Sequence, residues 1–145
     1  MNPREQARRA IEDLVHRETR AWDRQDAEAL AELCHPDMVW PWPPTEHDHD
    51  PMTWVVGMGR FDRERWTRSW RQLFEAHRLV HNRRELRKIV VTDQADGGFA
   101  VVDVDTLSRD AQGRDDHWLG RVCKVYTRLS AGEWKLIMHT GVLAY

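Results

Sequence analysis

No apolar run in this chain approaches the roughly 20 residues that a membrane-spanning helix needs, and the N-terminal stretch lacks the apolar core of a secretory signal. Cysteine is scarce. Cys34 and Cys123 stand alone at a separation that matches no metal or redox motif, so reduced thiols in a cytoplasmic protein are expected. An excess of one charge is also missing: 22 Lys and Arg face 24 Asp and Glu, a net charge of −2. That balance gives no electrostatic ground for a nucleic-acid or membrane partner. There is no internal repeat, linker or low-complexity segment, and residues 1–145 are expected to form a single domain with a substantial core. What the chain has in quantity is tryptophan and histidine, eight of each.

The most regular pattern lies at the C-terminal end. His117 to Leu129 and Trp134 to Leu143 are rich in β-branched, aromatic and leucine residues, with Ser-Ala-Gly-Glu between them. That predicts two long antiparallel strands. Polar residues recur inside both arms: His117, Arg121, Lys124 and Tyr126 in one, His139 and Thr140 in the other. A hairpin serving only as structure has little use for so many, and the pattern points to a sheet with one polar-lined face.

At the other end, Asn2 suits an N-cap, Pro3 the first helical position and Glu5 a capping box. Ala7, Ala10, Ile11, Leu14, Val15, Ala21 and Trp22 then recur at helical spacing. Glu18 falls within that stripe. The ordinary reading puts it at the stripe's edge, in solvent, because glutamates are seldom buried unless paired; the sharper one aims it into a cavity. Asp26 can cap a short second helix, which Pro36 closes, and Met38 to Trp42 reads as a short strand. In the loop 43–53, His47, Asp48, His49 and Asp50 are ligand types, but no recognised metal spacing is met; no metal or cofactor is expected. Trp54 to Met58 could form another short strand. Asp62 can cap a third helix of about seventeen residues, with Trp66, Trp70, Leu73, Phe74 and His77 on its apolar face. From Leu79 onward the sequence reads as strand. Asp103 and Asp105 share one face of a strand otherwise rich in valine, a face that is either exposed, dimer-facing or turned into a pocket.

Three helices, a short strand after the second and a long antiparallel meander resemble the nuclear transport factor 2-like superfamily. This group includes ketosteroid isomerase, SnoaL-like cyclases and the association domain of calmodulin-dependent kinase II. The local markers are Gln25-Asp26-Ala27-Glu28-Ala29-Leu30, Gly120 to Tyr126, and Gly132 to His139. The resemblance implies a cystatin-like α+β cone: three N-terminal helices against a strongly curved antiparallel sheet, a pocket in the mouth, and a homodimer through the sheet. It does not imply one chemistry. Trp42, before Pro43, stands where ketosteroid isomerase has its general-base aspartate, and Glu18 stands near its tyrosine donor. Asp103 and Asp105 replace the Arg–Asp pair of the limonene epoxide hydrolase-like members. Glu18 matches the first-helix glutamate of the kinase association domain, Lys124 falls where one of its arginines would be, and Asp103 replaces another.

Two functions follow as expectations. One is a small-molecule enzyme, an acid–base lyase, isomerase or hydrolase. Glu18, Asp103, Asp105 and His139 would be its titratable groups, and Arg121, Lys124 or Tyr126 would hold an anion or oxyanion. Trp22, Trp40, Trp42, Trp66, Trp70 and His117 would shape a pocket for a ring-bearing ligand. The other is a non-enzymatic dimeric binding or assembly module whose polar groups satisfy one another. The Asp103 and Asp105 face is expected to point inward; Arg121 and Lys124, three apart on one strand, take opposite faces, and which of them points inward stays open. Carboxylates crowded in a cavity are expected to have at least one raised pKa.

Overall fold

The computed structural model describes every residue except Glu46, Asp48, His49, Ala144 and Tyr145. Part of the 47–50 run therefore lies outside the described residues. The first helix, α1, spans Pro3–Asp23, and the Asn2 side chain accepts from the Glu5 backbone N–H at its start. Asp26 caps α2, Ala27–Glu32, in the same way through Ala29, and Asp62 caps α3, Arg63–Ala76, through Arg65. All three N-termini lie where the sequence puts them, because each cap satisfies a backbone N–H that the helix itself leaves unpaired. Among the described residues, no helix is long and apolar enough to cross a membrane.

The strands are β1 Cys34–Val39, β2 His77–Val91, β3 Gly97–Asp110, β4 Asp115–Arg128 and β5 Trp134–Leu143. They form one sheet in the order β1-β5-β4-β3-β2. Four strands run antiparallel as expected, but β1 pairs with β5 in parallel, so the sheet is mixed. β1 begins at Cys34, before the expected Met38, and carries Pro36; an edge strand tolerates a residue with no N–H to donate. Trp54 to Met58 forms no strand: Val55 makes a single bridge to Trp42, after a short 3₁₀ turn over Pro51–Thr53. The third helix is shorter than expected because the chain passes straight from Ala76 into β2.

The helices cover one face of the sheet. Val102, Val104 and Ala100 of β3 and Val122 and Tyr126 of β4 meet Ile11, Leu14 and Val15 of α1 and Trp66 and Trp70 of α3 in the core. The approach is close: a Cβ on Gly98 would run into the Val90 carbonyl and stand 2.8 Å from Ile11 Cδ1. Three irregularities break the alternation of faces, between Leu79 and His81, between Leu86 and Lys88, and in the β4–β5 ladder at Val125 and Tyr126. Each exchanges inside for outside beyond it.

Candidate functional site

Glu18 is the pivot of the interior. It lies on the core face of α1 and is 2% exposed, so the solvent-edge reading is overturned. Its burial is compensated by two cations from the sheet. Arg84 Nη1 of β2 donates to its carboxylate at 2.9 Å, and Lys124 of β4, itself fully buried, donates to the same oxygen. Lys124 settles the strand's orientation: it points inward and Arg121 outward.

The electrostatics follow from this pairing. Burial would push the Glu18 carboxyl up, but Lys124 and then Arg84 more than offset it and hold it below the usual range. The raised carboxylate expected from the sequence is therefore not found at Glu18. Burial, and the charge of Arg84, lower Lys124 from the ordinary lysine value, with Glu18 opposing. His139 of β5, paired with Lys124 across the ladder, is 3% exposed. Burial first, then the positive charges of Lys124 and Arg84, push it well below the normal histidine range, so its ring is neutral at pH 7. Its Nδ1 lies 3.3 Å from Lys124 Nζ. An ammonium can only donate, so Nδ1 accepts and Nε2 carries the ring proton.

His139 lines a cavity of about 120 Å³ between the inner face and the helices. Trp40 stacks on the His139 ring at 3.9 Å between centroids, and Trp118 meets it edge-on at 5.9 Å. Trp22 forms the opposite wall with Leu73, and Arg84 sits over its ring at 5.3 Å. Val104, Thr106 and Ser108 of β3 supply the floor, and Asp116 stands at the exposed rim. Neither His139 Nε2 nor Trp22 Nε1 has a hydrogen-bond partner among the described residues, although both atoms are buried. Behind the wall a polar chain holds Arg84 in place: its Nε donates to Asn82 Oδ1 at 2.9 Å, Thr106 donates to the same oxygen at 2.7 Å, and Asn82 donates to Asp23 at 3.0 Å.

The remaining expected site residues fall into two groups. Trp66 and Trp70 are buried behind Trp40, with ring centroids 6.5 and 6.1 Å from it, and belong to the core rather than to the cavity wall. Tyr126 is also core; its hydroxyl is buried without a partner among the described residues. Trp42 is half-buried against Gly57 and bridges Val55, away from the cavity lining. The Asp103 and Asp105 face does not point inward. Val102, Val104 and Thr106 take the inner side of β3, so both aspartates lie on the outer face. There Asp103 accepts from Arg121 and Arg87, which hold it well below the carboxylate range, and Asp105 accepts from His81 and His117. His117 and Arg121 are therefore outer residues too. Arg84, Asn82, Thr106 and Trp118 are cavity or network residues that the sequence reading did not single out. The available signal was that Asn82 and Arg84 share a period-two face with Leu86.

No protein-family model and no curated protein matches this sequence. Solved structures do match along nearly the whole chain. A ketosteroid isomerase-like protein from Erwinia carotovora atroseptica SCRI1043 superposes with a TM-score of 0.70 at 15% identity, over 93% of this chain and 94% of that one. A nuclear transport factor 2-like superfamily protein from Salmonella enterica serovar Typhimurium LT2 gives 0.70 at 13% identity, over 97% and 94%. A domain with a cystatin-like fold from Nostoc punctiforme PCC 73102 gives 0.64 at 13%, over 94% and 76%. At such identities the likeness is one of fold. The chain has the nuclear transport factor 2-like fold, the cystatin-like α+β arrangement of helices on a sheet.

Proposed function

We propose that this protein binds a small planar molecule, about one ring in size, that carries a hydrogen-bond acceptor such as a carboxylate, phenolate or carbonyl oxygen. The observation that supports this reading is a pair of buried donors without a partner among the described residues, His139 Nε2–H and Trp22 Nε1–H, on two residues that line one tryptophan-walled cavity. A buried donor left unpaired costs about 1–3 kcal/mol, so an acceptor placed between the two recovers a large part of its own binding free energy. Arg84 adds a positive charge at the wall, and Glu18 with its two cations carries a net positive charge, which favours an anionic acceptor. A cavity of about 120 Å³ suits a single ring. Such a ligand should raise the melting temperature and quench tryptophan fluorescence. Benzoate and its ring-substituted relatives are the probes, with toluene as the acceptor-free control. Equal response to benzoate and toluene would remove the donors from the account.

A reaction on that ligand is the second reading. It is favoured by Asp116, the carboxylate at the rim of the same cavity. A neutral His139 donating to a carbonyl oxygen, with Asp116 drawing a proton from the neighbouring carbon, would make an isomerase or lyase. Asp116→Asn should then abolish turnover and leave ligand affinity intact. Without turnover the protein remains a binding or accessory module. A homodimer through the outer face belongs to the same proposal, and partly exposed Val90, Phe99, Leu119 and Met138 support it. A cytoplasmic setting belongs to the proposal too, supported by two free cysteines.

A further inference from the structure

On the outer face, three side chains from three neighbouring strands meet at a point that the cavity does not use. His81 Nε2 of β2 lies 2.8 Å from Asp105 Oδ1 of β3, and His117 Nε2 of β4 lies 2.7 Å from the same oxygen. We propose that His81, Asp105 and His117 form a binding site for a divalent transition-metal ion of the zinc type.

The backbone sets this arrangement. His81 and His117 both stand opposite Leu107, one on each side of β3, and both rings lean along the outer face to Asp105, two residues from Leu107 on the same strand. The irregularity between Leu79 and His81 matters here. It places Leu79 opposite Ser108, on the inner side, and returns His81 to the outer side, where plain alternation would have given both the same face. Each of the three residues offers a ligand atom, and these atoms lie within 4.8 Å of one another. Ligands of a tetrahedral zinc with bonds of about 2.1 Å stand about 3.4 Å apart. An ion therefore needs the two imidazoles to draw back from the carboxylate by about half an ångström, a side-chain adjustment only. Each neutral ring moves its proton from Nε2 to Nδ1 and turns a lone pair inward.

Two imidazoles and one carboxylate suit zinc, nickel, cobalt or ferrous iron rather than calcium or magnesium, which take oxygen donors. Three protein ligands leave at least one coordination position open, on the side away from the sheet. The charges around the site are mixed. Arg83 faces Asp105 across the ladder and opposes a cation, Asp115 beside His117 is held by Arg109, and Asp103 is shared by Arg87 and Arg121. Because the ligands lie 24 and 12 residues from Asp105 along the chain, no sequence motif marks them.

Titration calorimetry with zinc chloride on protein purified without a tag tests the site. The expected result is one equivalent per chain. Asp105→Asn and His81→Ala should each weaken binding by more than the roughly 10- to 100-fold that loss of an outer-shell partner costs. His47→Ala with His49→Ala should leave it unchanged. Far-UV circular dichroism checks that the variants are folded; the asparagine keeps the shape of the aspartate, so at least one of them should be. No zinc uptake by the wild type, or uptake that survives Asp105→Asn, or uptake lost only with His47 and His49, overturns the proposal.

Discussion

Replacing Glu18 by glutamine keeps the shape of the side chain and removes the one negative charge between Lys124 and Arg84. Two buried cations then face each other, and of the carboxylates acting on Arg84 only Asp23 remains. Breaking a buried ion pair by removing one partner costs about 3–5 kcal/mol. With a urea dependence of about 2 kcal/mol per molar for a domain of this size, the unfolding midpoint should fall by roughly 1.5–2.5 M. The loss has a pH window whose sign can be worked out. Glu18 is held below its ordinary value in the fold, so its contribution is present above about 4.5 and is lost as the pH falls through the lower folded value. At acid pH the wild-type carboxyl is itself protonated, and the difference from the variant shrinks. Lys124 is lowered by burial and by Arg84, and only Glu18 and a weaker influence of Cys34 oppose this. In the variant its pKa drops further, the amine gives up its proton as the pH rises, and part of the loss is recovered on the alkaline side. The difference between wild type and Glu18→Gln should therefore peak near neutral pH and decline on both sides. Adding Lys124→Met to Glu18→Gln restores the wild-type net charge of the group, so the double variant should be more stable than the two single losses combined would allow. Urea unfolding followed by circular dichroism from pH 2 to pH 10 measures all of this. A midpoint that is the same in wild type and Glu18→Gln at every pH would show that the glutamate is solvated and the network absent.

Three further outcomes are expected. At dilutions where a single chain prevails, Asp103→Ala should shift the unfolding midpoint little and more at low salt than at high, because the Arg87 and Arg121 pairs lie on the outer face, which one chain leaves open to screening ions; a large, salt-independent loss at such dilution would refute this. Light scattering at micromolar concentration should give twice the 17.2 kDa of one chain, and a monodisperse monomer would count against the sheet dimer. A 5-ene-3-ketosteroid should not be isomerised, since Trp42 bridges Val55 and offers no base to the cavity; turnover above the buffer rate would assign that role to another carboxylate.

The helices could be read from the sequence because their signals are local. Asn2, Asp26 and Asp62 each cap the helix that follows, and the apolar spacing after them fixes the buried stripe. The paired strands after residue 77 were legible for the same reason. Which side of the sheet faces the helices was not. Asp103 and Asp105 were expected inside because polar residues among valines suggest function, whereas the valines themselves take the inner side. Long-range compensation decided the rest. Glu18 is buried only because Arg84 and Lys124, 66 and 106 residues away, reach it. Leu136 and His139 both face inward, three residues apart, because the β4–β5 ladder shifts at Val125 and Tyr126. Neither the partner nor the shift leaves a mark in the strand that carries it.

Under the proposed function, His139 Nε2–H and Trp22 Nε1–H hold an acceptor inside the cavity. A crystal structure at high resolution, grown with benzoate, tests it most directly. A ring should lie between Trp22, Trp40 and Trp118, with a carboxylate oxygen about 2.7–3.2 Å from each of the two nitrogens. Its density should vanish in a Trp22→Phe and His139→Met double variant, which removes both donors and leaves the thioether sulfur as a weak acceptor for Lys124. A cavity closed by the tryptophan side chains themselves, or a benzoate bound elsewhere with both donors still unpaired, would contradict it.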